Sequence, residues 1–339
     1  MLRQACSIAI QETPMTLSNM PKLVTVFGGS GFVGRHIVRV LAKRGYRIRV
    51  AVRRPDLAFH LQPLGNVGQI AFVQANLRYR KSIDAAVQGS DHVINCVGIL
   101  HEAGRNTFDA VQDFGARAIA ESCRNAGVKL THISAIGADI DSDSSYAHSK
   151  AKAENAILSL LPDAVIYRPS VIFGPEDGFY NKFAEMARIA PALPLVGGGH
   201  TKFQPVFVDD VAEAVARSVD GTVEGGKIYE LGGAEVKTFR EIIEDILRIT
   251  CREKTLVPLP FFAASLLGSI ASLIPFVTPP VTADQVKLLK TDNVVSDAAR
   301  KEGRTLEGLG IKPTLAEAIL PSYLVRYRPE GQFTQPGEA

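Results

Sequence analysis

The chain has 339 residues, of which 46% are hydrophobic and 22% charged, which fits one large α/β unit or two smaller domains and excludes wholesale disorder. Its 38 basic residues nearly balance 35 acidic ones, for a net charge of +3, so the basic surplus that marks nucleic-acid binding is missing. Four cysteines (Cys6, Cys96, Cys123 and Cys251) form no CxxC pair, which points away from zinc and disulfides and toward a reducing cytoplasm.

Residues 1–20 read as a flexible tail, because Ile8-Ala9-Ile10 is too short an apolar stretch for a signal peptide. Leu23–Phe27 is an apolar run that fits a buried parallel strand. Glycines follow, then Phe32, Val33, Ile37, Val38, Val40 and Leu41 at helical spacing, ended by Gly45. Further strands are expected at Arg47–Val52, Ile70–Gln74, His92–Val97, Leu130–Ser134 and Ala164–Tyr167, with helices near 81–88 and 106–126 between them. This alternation predicts an α/β fold: a Rossmann doubly wound parallel sheet with a smaller C-terminal cap.

After Pro169 the pattern loosens into Pro- and Gly-punctuated loops. It returns as a strand at Val206–Val208, a helix over Asp210–Val219 and a strand at Tyr229–Leu231. Thr238 with Glu241, and Thr282 with Gln285, have capping-box spacing and open two more helices. The core is expected from about 21–175 and 206–232, the cap from 176–205 and 233–325, and a second flexible tail from 326–339.

The turn Gly28-Gly29-Ser30-Gly31-Phe32-Val33-Gly34 lies between an apolar strand and an amphipathic helix. A dinucleotide site needs small residues there. Gly28 permits the tight turn, Gly31 lets the backbone approach the pyrophosphate, and Gly34 lets the helix pack on the strand. The end of the second strand chooses the cofactor. An acid there binds the ribose of NAD, whereas arginine accommodates the 2′-phosphate of NADP. Arg53-Arg54 occupies that place with no acid before Asp56, so NADP(H) is favoured over NAD(H). Asn76 and Gly98 follow the third and fourth strands, where Asn76 could reach the adenine and Gly98 could let the chain pass close to the cofactor.

Tyr146 and Lys150 are spaced i, i+4, on one helix face. An ammonium beside a phenol stabilises the phenolate, so Tyr146 could exchange protons nearer neutral pH while Lys150 also holds the nicotinamide ribose. Ser134, ending the fifth strand, could hydrogen-bond a substrate oxygen. His132 reads as a satisfied core residue and His148 as exposed. Asp209-Asp210 reads as an N-cap and dipole partner, and no metal site is expected.

These residues resemble the extended or atypical short-chain dehydrogenase/reductase superfamily. The likeness is carried by the glycine turn, Tyr146 with Lys150, Arg168-Pro169-Ser170-Val171-Ile172-Phe173-Gly174-Pro175 and Val208-Asp209-Asp210-Val211. Within it the chain is most similar to the branch of the NADPH-binding accessory subunit of respiratory complex I and its bacterial epimerase/dehydratase-like relatives. That closer likeness rests on Ile133-Ser134-Ala135-Ile136-Gly137-Ala138, Thr201-Lys202-Phe203-Gln204-Pro205-Val206, Ala283-Asp284-Gln285-Val286 and Asp292-Asn293-Val294-Val295. The resemblance implies bound NADPH and association with respiratory or ubiquinone-synthesis proteins. Two departures weaken a catalytic role: Asn76 stands where extended members carry Asp, and Gln112 where they carry Asn.

Phe261–Ile274 is apolar between Pro260 and Pro275, and as a helix would reach only about 21 Å at ~1.5 Å per residue, short of a bilayer core. It reads either as a cap helix over the substrate cleft, lining a pocket for an apolar or quinone-like molecule, or as an interfacial helix touching membrane. Three functions follow. The first is an NADP(H)-dependent oxidoreductase acting on an apolar or quinone-related substrate. The second is a non-catalytic NADPH-binding accessory or assembly factor for complex I or ubiquinone biosynthesis. The third is a sugar-nucleotide epimerase or dehydratase. A cytoplasmic protein, peripheral at the inner face of the membrane, fits the first two.

Overall fold

The structure is a computed structural model and describes residues 21–102, 104–272 and 282–333. The main sheet begins with β1 (Leu23–Phe27), β2 (Arg47–Val52), β3 (Ile70–Gln74), β4 (His92–Asn95), β5 (Lys129–Ile133) and β6 (Val165–Pro169). Beyond it β7 (Ile172–Phe173), β8 (Ala192–Val196), β9 (Lys202–Phe203) and β10 (Val206–Phe207) leave the sheet, and β11 (Ile228–Leu231) returns to its edge. The seven strands run in the order β11-β6-β5-β4-β1-β2-β3, every pair parallel. The strand order reverses between β1 and β4, and in such sheets the ligand crevice opens outside the carboxyl ends of those strands.

Continuous apolar runs suit strands covered on both faces. One face is covered by α1 (Phe32–Lys43), the other by α2 (Arg80–Val87), α3 (Phe114–Ala126) and α4 (Ser145–Leu160). α5 (Tyr180–Ile189) belongs to the smaller part, and α6 (Val208–Asp220) packs beside α1. Ile37, Leu41, Val211 and Val215 fill the first layer; Ile83, Ile119 and Ile157 fill the second. Each such fully buried side chain contributes about 1.5–3 kcal/mol.

Two strands end earlier than their apolar runs suggest. β4 stops at Asn95, not Val97, because the Asn95 side chain accepts the Val97 N–H at 3.1 Å and turns the chain out of the ladder. β5 stops at Ile133, although Ser134 N–H still donates to Tyr167 O at 2.7 Å. The helix expected from 106 is a π turn at Asp109–Asp113 followed by α3.

The smaller part has its own core, in which Phe173, Tyr180, Phe183, Phe239, Ile243 and Tyr323 meet. α5 was not foreseen. Its apolar residues sit among prolines and glycines, and its partner α7 (Phe239–Thr250) is far away in sequence. β9 pairs with β12 (Lys237–Thr238) and β8 with β13 (Thr255–Leu259). The chain ends through α8 (Phe261–Ser272), α9 (Ala283–Leu288), α10 (Asp297–Lys301) and α11 (Ala316–Leu324). Both capping boxes form, at Thr238 and Thr282.

Residues 304–311 return to the main core rather than staying in the cap. Glu230 N–H donates to Arg304 O at 2.9 Å, and Leu306 and Ile311 join the α1–α6 layer. This covers the exposed edge of β11, which would otherwise invite pairing. Past residue 325, where the second tail is expected to start, Arg326 donates to Asn181 Oδ1 at 2.6 Å and Arg328 to Ile249 O at 2.8 Å. The first tail, residues 1–20, and the end past 333 lie outside the described residues.

Candidate functional site

At the β1–α1 turn the glycines are demanded by space. Gly28 has φ +77°, and a methyl there would sit 3.1 Å from Val97 Cγ2. A methyl on Gly34 would lie 2.3 Å from Gly28 O and 2.6 Å from Gly29 Cα, so only hydrogen lets α1 rest on the turn. Gly31 is different: it is exposed, and its methyl would meet only Gly28 O, at 3.3 Å. It is also the N-cap of α1, with no side-chain cap and no acid in the first turn. The helix end therefore offers N–H donors and a positive dipole to an anion. Ser30, Phe32 and Val33 are half-buried around it. Arg35 braces the turn, donating to Ser30 O at 3.4 Å and to Glu176 at 3.3 Å.

Arg53 and Arg54 follow β2 directly, both exposed. Arg54 is paired with Asp56 at 2.8 Å, which leaves Arg53 the less neutralised cation. Arg53 reaches Asn106 Oδ1 at 3.5 Å, while Arg78 reaches Arg105 O at 3.5 Å, so two guanidinium groups flank one loop. Reading along the chain missed Arg78, because only the fold brings it beside that loop. Asn76 accepts the Arg78 N–H at 3.1 Å through Oδ1.

Lys150 and Tyr146 share a face of α4, near the ends of β4 and β5. Lys150 is 4% exposed and donates to Ile133 O at 3.2 Å. Its Nζ lies 5.9 Å from the centre of the Tyr146 ring, and Gly98 is small where a methyl would come within 3.4 Å of that nitrogen. Burial lowers the Lys150 pKa to about 8, against the opposing pull of Glu154, which a bidentate pair with Arg168 at 2.8 and 2.5 Å already holds. Burial raises the Tyr146 phenol to about 12. The expectation that Lys150 brings this phenol toward neutrality therefore fails in the structure: the ammonium sits over the ring, and desolvation dominates. The Ser134 hydroxyl is 4% exposed and has no hydrogen-bond partner among the described residues.

Neighbours set this geometry. The π turn places Phe108 edge-on to Tyr146 at 5.9 Å. Gln112 donates to Ile99 O at 2.6 Å and accepts from Ser149 at 2.9 Å, which fixes the direction of its amide. Asp284 reaches across from α9 to the start of α4. It accepts from Ser144 Oγ at 2.9 Å, Ser145 N at 2.9 Å and Tyr146 N at 3.2 Å. Along the chain Asp284 stood out only as part of a shared phrase; its contact with α4 spans 138 residues.

His148 points away, with Nδ1 on Ile140 O at 2.6 Å. His132 is buried as expected, but its Nε2 has no partner among the described residues. Asp209 and Asp210 are not N-caps; Phe207 holds that position and makes no side-chain cap. Asp209 instead takes Arg39 and His36 Nδ1, and Asp210 accepts from Thr314 N at 2.7 Å. Among the described residues no cluster of three His, Cys, Asp or Glu could hold a metal.

α8 lies on the cap, its Phe261 ring over Gly197, where a methyl would be 2.2 Å away. Phe262 and Leu266 face outward, 78% and 61% exposed. Residues 273–274 of the apolar stretch fall outside the described residues. Among the described residues no helix is long and apolar enough to cross a membrane.

A model of the NAD dependent epimerase/dehydratase family matches residues 24–232, from β1 to the end of β11. The chain belongs to this family. Among curated members it is 34% identical over 320 residues to NADH dehydrogenase [ubiquinone] 1 alpha subcomplex subunit 9, mitochondrial, of Arabidopsis thaliana, covering 91% of this chain and 79% of that one. It is 31% identical over 291 residues to ceramide reductase of Caulobacter vibrioides, covering 83% and 88%. The resemblance to the complex I branch thus holds. Among solved structures, DesIV, a dTDP-glucose 4,6-dehydratase from Streptomyces venezuelae crystallised with NAD, shares the fold. Its TM-score is 0.68 at 20% identity, over 90% of this chain and 96% of that one.

Proposed function

We propose that this chain is an NADP(H)-dependent oxidoreductase that acts on an apolar carbonyl compound or quinone. The observation that carries the reading is the buried Ser134 hydroxyl at the carboxyl end of β5, without a hydrogen-bond partner among the described residues and next in the chain to Ile133, whose carbonyl takes the Lys150 ammonium. A polar group left unpaired in a native interior calls for a partner, and a substrate oxygen supplies one. The bound cofactor would supply the hydride. Gly28, Gly31 and Gly34, with Ser30, Phe32 and Val33 around them, would seat its pyrophosphate at the α1 terminus. Arg53, with Arg54 beside it, would meet a 2′-phosphate, and Asn76 and Gly98 would face the adenine and nicotinamide halves. Lys150 would donate to the nicotinamide ribose, Ser134 to the substrate oxygen, and Tyr146 would give that oxygen its proton. A phenol held near 12 is mostly protonated at pH 7, which suits a proton donor in the reducing direction.

NADPH fluorescence titration tests the cofactor. NADPH should bind more tightly than NADH, and Arg53→Ala should weaken NADPH by roughly tenfold or more while leaving NADH unchanged. Equal affinities would refute the preference. Tyr146→Phe should lower NADPH oxidation with a quinone or long-chain carbonyl acceptor roughly a hundredfold, with NADPH affinity retained. Turnover equal to wild type would remove Tyr146 from the chemistry.

One observation favours a second reading, a non-catalytic NADPH-binding accessory factor of respiratory or quinone-synthesis machinery. The outward Phe262 and Leu266 on α8 present an apolar face suited to a membrane surface or hydrophobic partner. That face also supports a cytoplasmic protein bound at the inner membrane face. NADPH that co-purifies and resists exchange with NADP⁺ would decide for this reading.

A further inference from the structure

β4 and β5 carry a buried pair whose hydrogen bonding is incomplete. Asn95 and His132 stand opposite each other in the strand register, 1% and 2% exposed. The Asn95 amide has one direction, because its Oδ1 accepts the Val97 N–H. Its Nδ2 therefore faces His132 and donates to Nδ1 at 3.1 Å. A neutral imidazole that accepts at Nδ1 carries its proton at Nε2. Burial, helped by the Lys150 charge, keeps this ring neutral by pushing its pKa down to about 3. The Nε2–H is thus a buried donor with no acceptor among the described residues. Leaving such a donor unmet costs about 1–3 kcal/mol.

Lys150, whose ammonium sits on the carbonyl of the adjoining Ile133 and whose charge the ring feels, cannot meet it, being a donor as well. The Lys150 ammonium has three N–H bonds, and Ile133 O takes one. Gln112, the other buried amide near α4, turns its oxygen to Ser149 and does not reach the ring. Two donors in one dry region are reconciled by a single oxygen that accepts from both.

We propose that His132 is a positioning residue for Lys150: its Nε2–H and one ammonium proton both donate to the oxygen of a shared buried water. That water is the ammonium's second polar partner, and it keeps Lys150 protonated and pointed toward the cofactor crevice. The proposal rests on the functional reading, in which a protonated Lys150 donates to the nicotinamide ribose.

The test needs no substrate. Long-range ¹⁵N–¹H NMR of the full chain should show His132 as the Nε2–H tautomer, unchanged between about pH 5.5 and 8.5. Titration of Lys150, followed by the ¹³Cε resonance, should move down by roughly one unit in His132→Leu, as desolvation deepens. His132→Gln should stay near wild type, because its amide places an N–H where the imidazole had one. An Nδ1–H tautomer in wild type overturns the proposal. So does a Lys150 titration that His132→Leu leaves unmoved, or a glutamine variant that behaves like leucine. If the leucine variant fails to fold, the wild-type tautomer and the glutamine variant still decide. NADPH titration of the same samples separates the two claims: a shifted Lys150 without NADPH binding sinks the functional reading and keeps the role of His132.

Discussion

Replacing Lys150 by methionine should raise the free energy of unfolding at pH 7 by on the order of 2 kcal/mol while abolishing turnover. The residue is 4% exposed, and burial pulls its pKa from 10.5 to about 8. At ~1.4 kcal/mol per pKa unit, holding the charge in the fold costs on the order of 3 kcal/mol. The lost bond to Ile133 O returns about 1 kcal/mol of that. The pH dependence follows from the sign of the shift. Below about pH 8 both folded and unfolded chains bind the proton, and the full cost is present. Between about 8 and 10.5 the folded chain releases the proton while the unfolded chain keeps it, so wild-type stability rises through that window. The advantage of Lys150→Met should therefore shrink as pH rises toward 10. Urea unfolding of both proteins at pH 7 and pH 10 measures it. A variant less stable than wild type at pH 7, or a gap that widens with pH, would mean that the ammonium is well satisfied where it sits. A group that destabilises its own fold is expected where chemistry, not stability, selects the residue.

Local patterns carried the nucleotide half of the molecule. β1, β2 and β3 stand where their apolar runs end, and the Thr238 and Thr282 boxes open helices because those interactions lie within one turn. The cap was less legible for a physical reason. α5 buries Tyr180, Phe183 and Ala184 against a helix about 60 residues downstream, and β8 finds its partner only at β13. The site divides in the same way. Tyr146 and Lys150 are visible as an i, i+4 pair, but the burial that moves both pKa values is a property of the packed sheet. The misreading of Asp209 shows the limit: an acid at a helix start suggests a cap until His36 and Arg39 of α1 arrive to claim it.

The links to Tyr146 that are most distant in sequence come from the C-terminal segment. Asp284 holds the first turn of α4, and Asn293 accepts from Ser170 Oγ at 2.7 Å and donates to Ile136 O at 3.1 Å. Both residues lie in phrases that carry the resemblance to the complex I branch. Their role here is mechanical: they tie the segment after the apolar stretch to the loop and helix that present Ser134 and Tyr146.

Gly34→Ala should cost both the fold and the cofactor, and Gly31→Ala only the cofactor. At Gly34 the added methyl would meet Gly28 O at 2.3 Å, Gly29 Cα at 2.6 Å and Gly29 C at 2.9 Å. All three are backbone atoms of a turn fixed by the Gly28 N–H to Ala51 O bond and the Gly31 N–H to Gly28 O bond, so no side chain can swing aside. Overpacking of this kind costs about 1–3 kcal/mol, and the shift of α1 displaces the N–H groups that would face the pyrophosphate. NADPH affinity should fall roughly a hundredfold, about 2.7 kcal/mol of binding free energy. Gly31 has φ −75°, and its methyl would make one tight contact, with Gly28 O at 3.3 Å. Alanine there is conformationally ordinary, and the entropy it saves, about 0.4–1 kcal/mol, offsets that contact, so stability should stay close to wild type. The methyl would stand on the open side of the helix terminus, where a phosphate oxygen must approach. Urea unfolding and NADPH fluorescence on the two variants separate packing from approach. If Gly31→Ala binds NADPH like wild type, the pyrophosphate does not pass over this turn, and the glycines serve the helix alone.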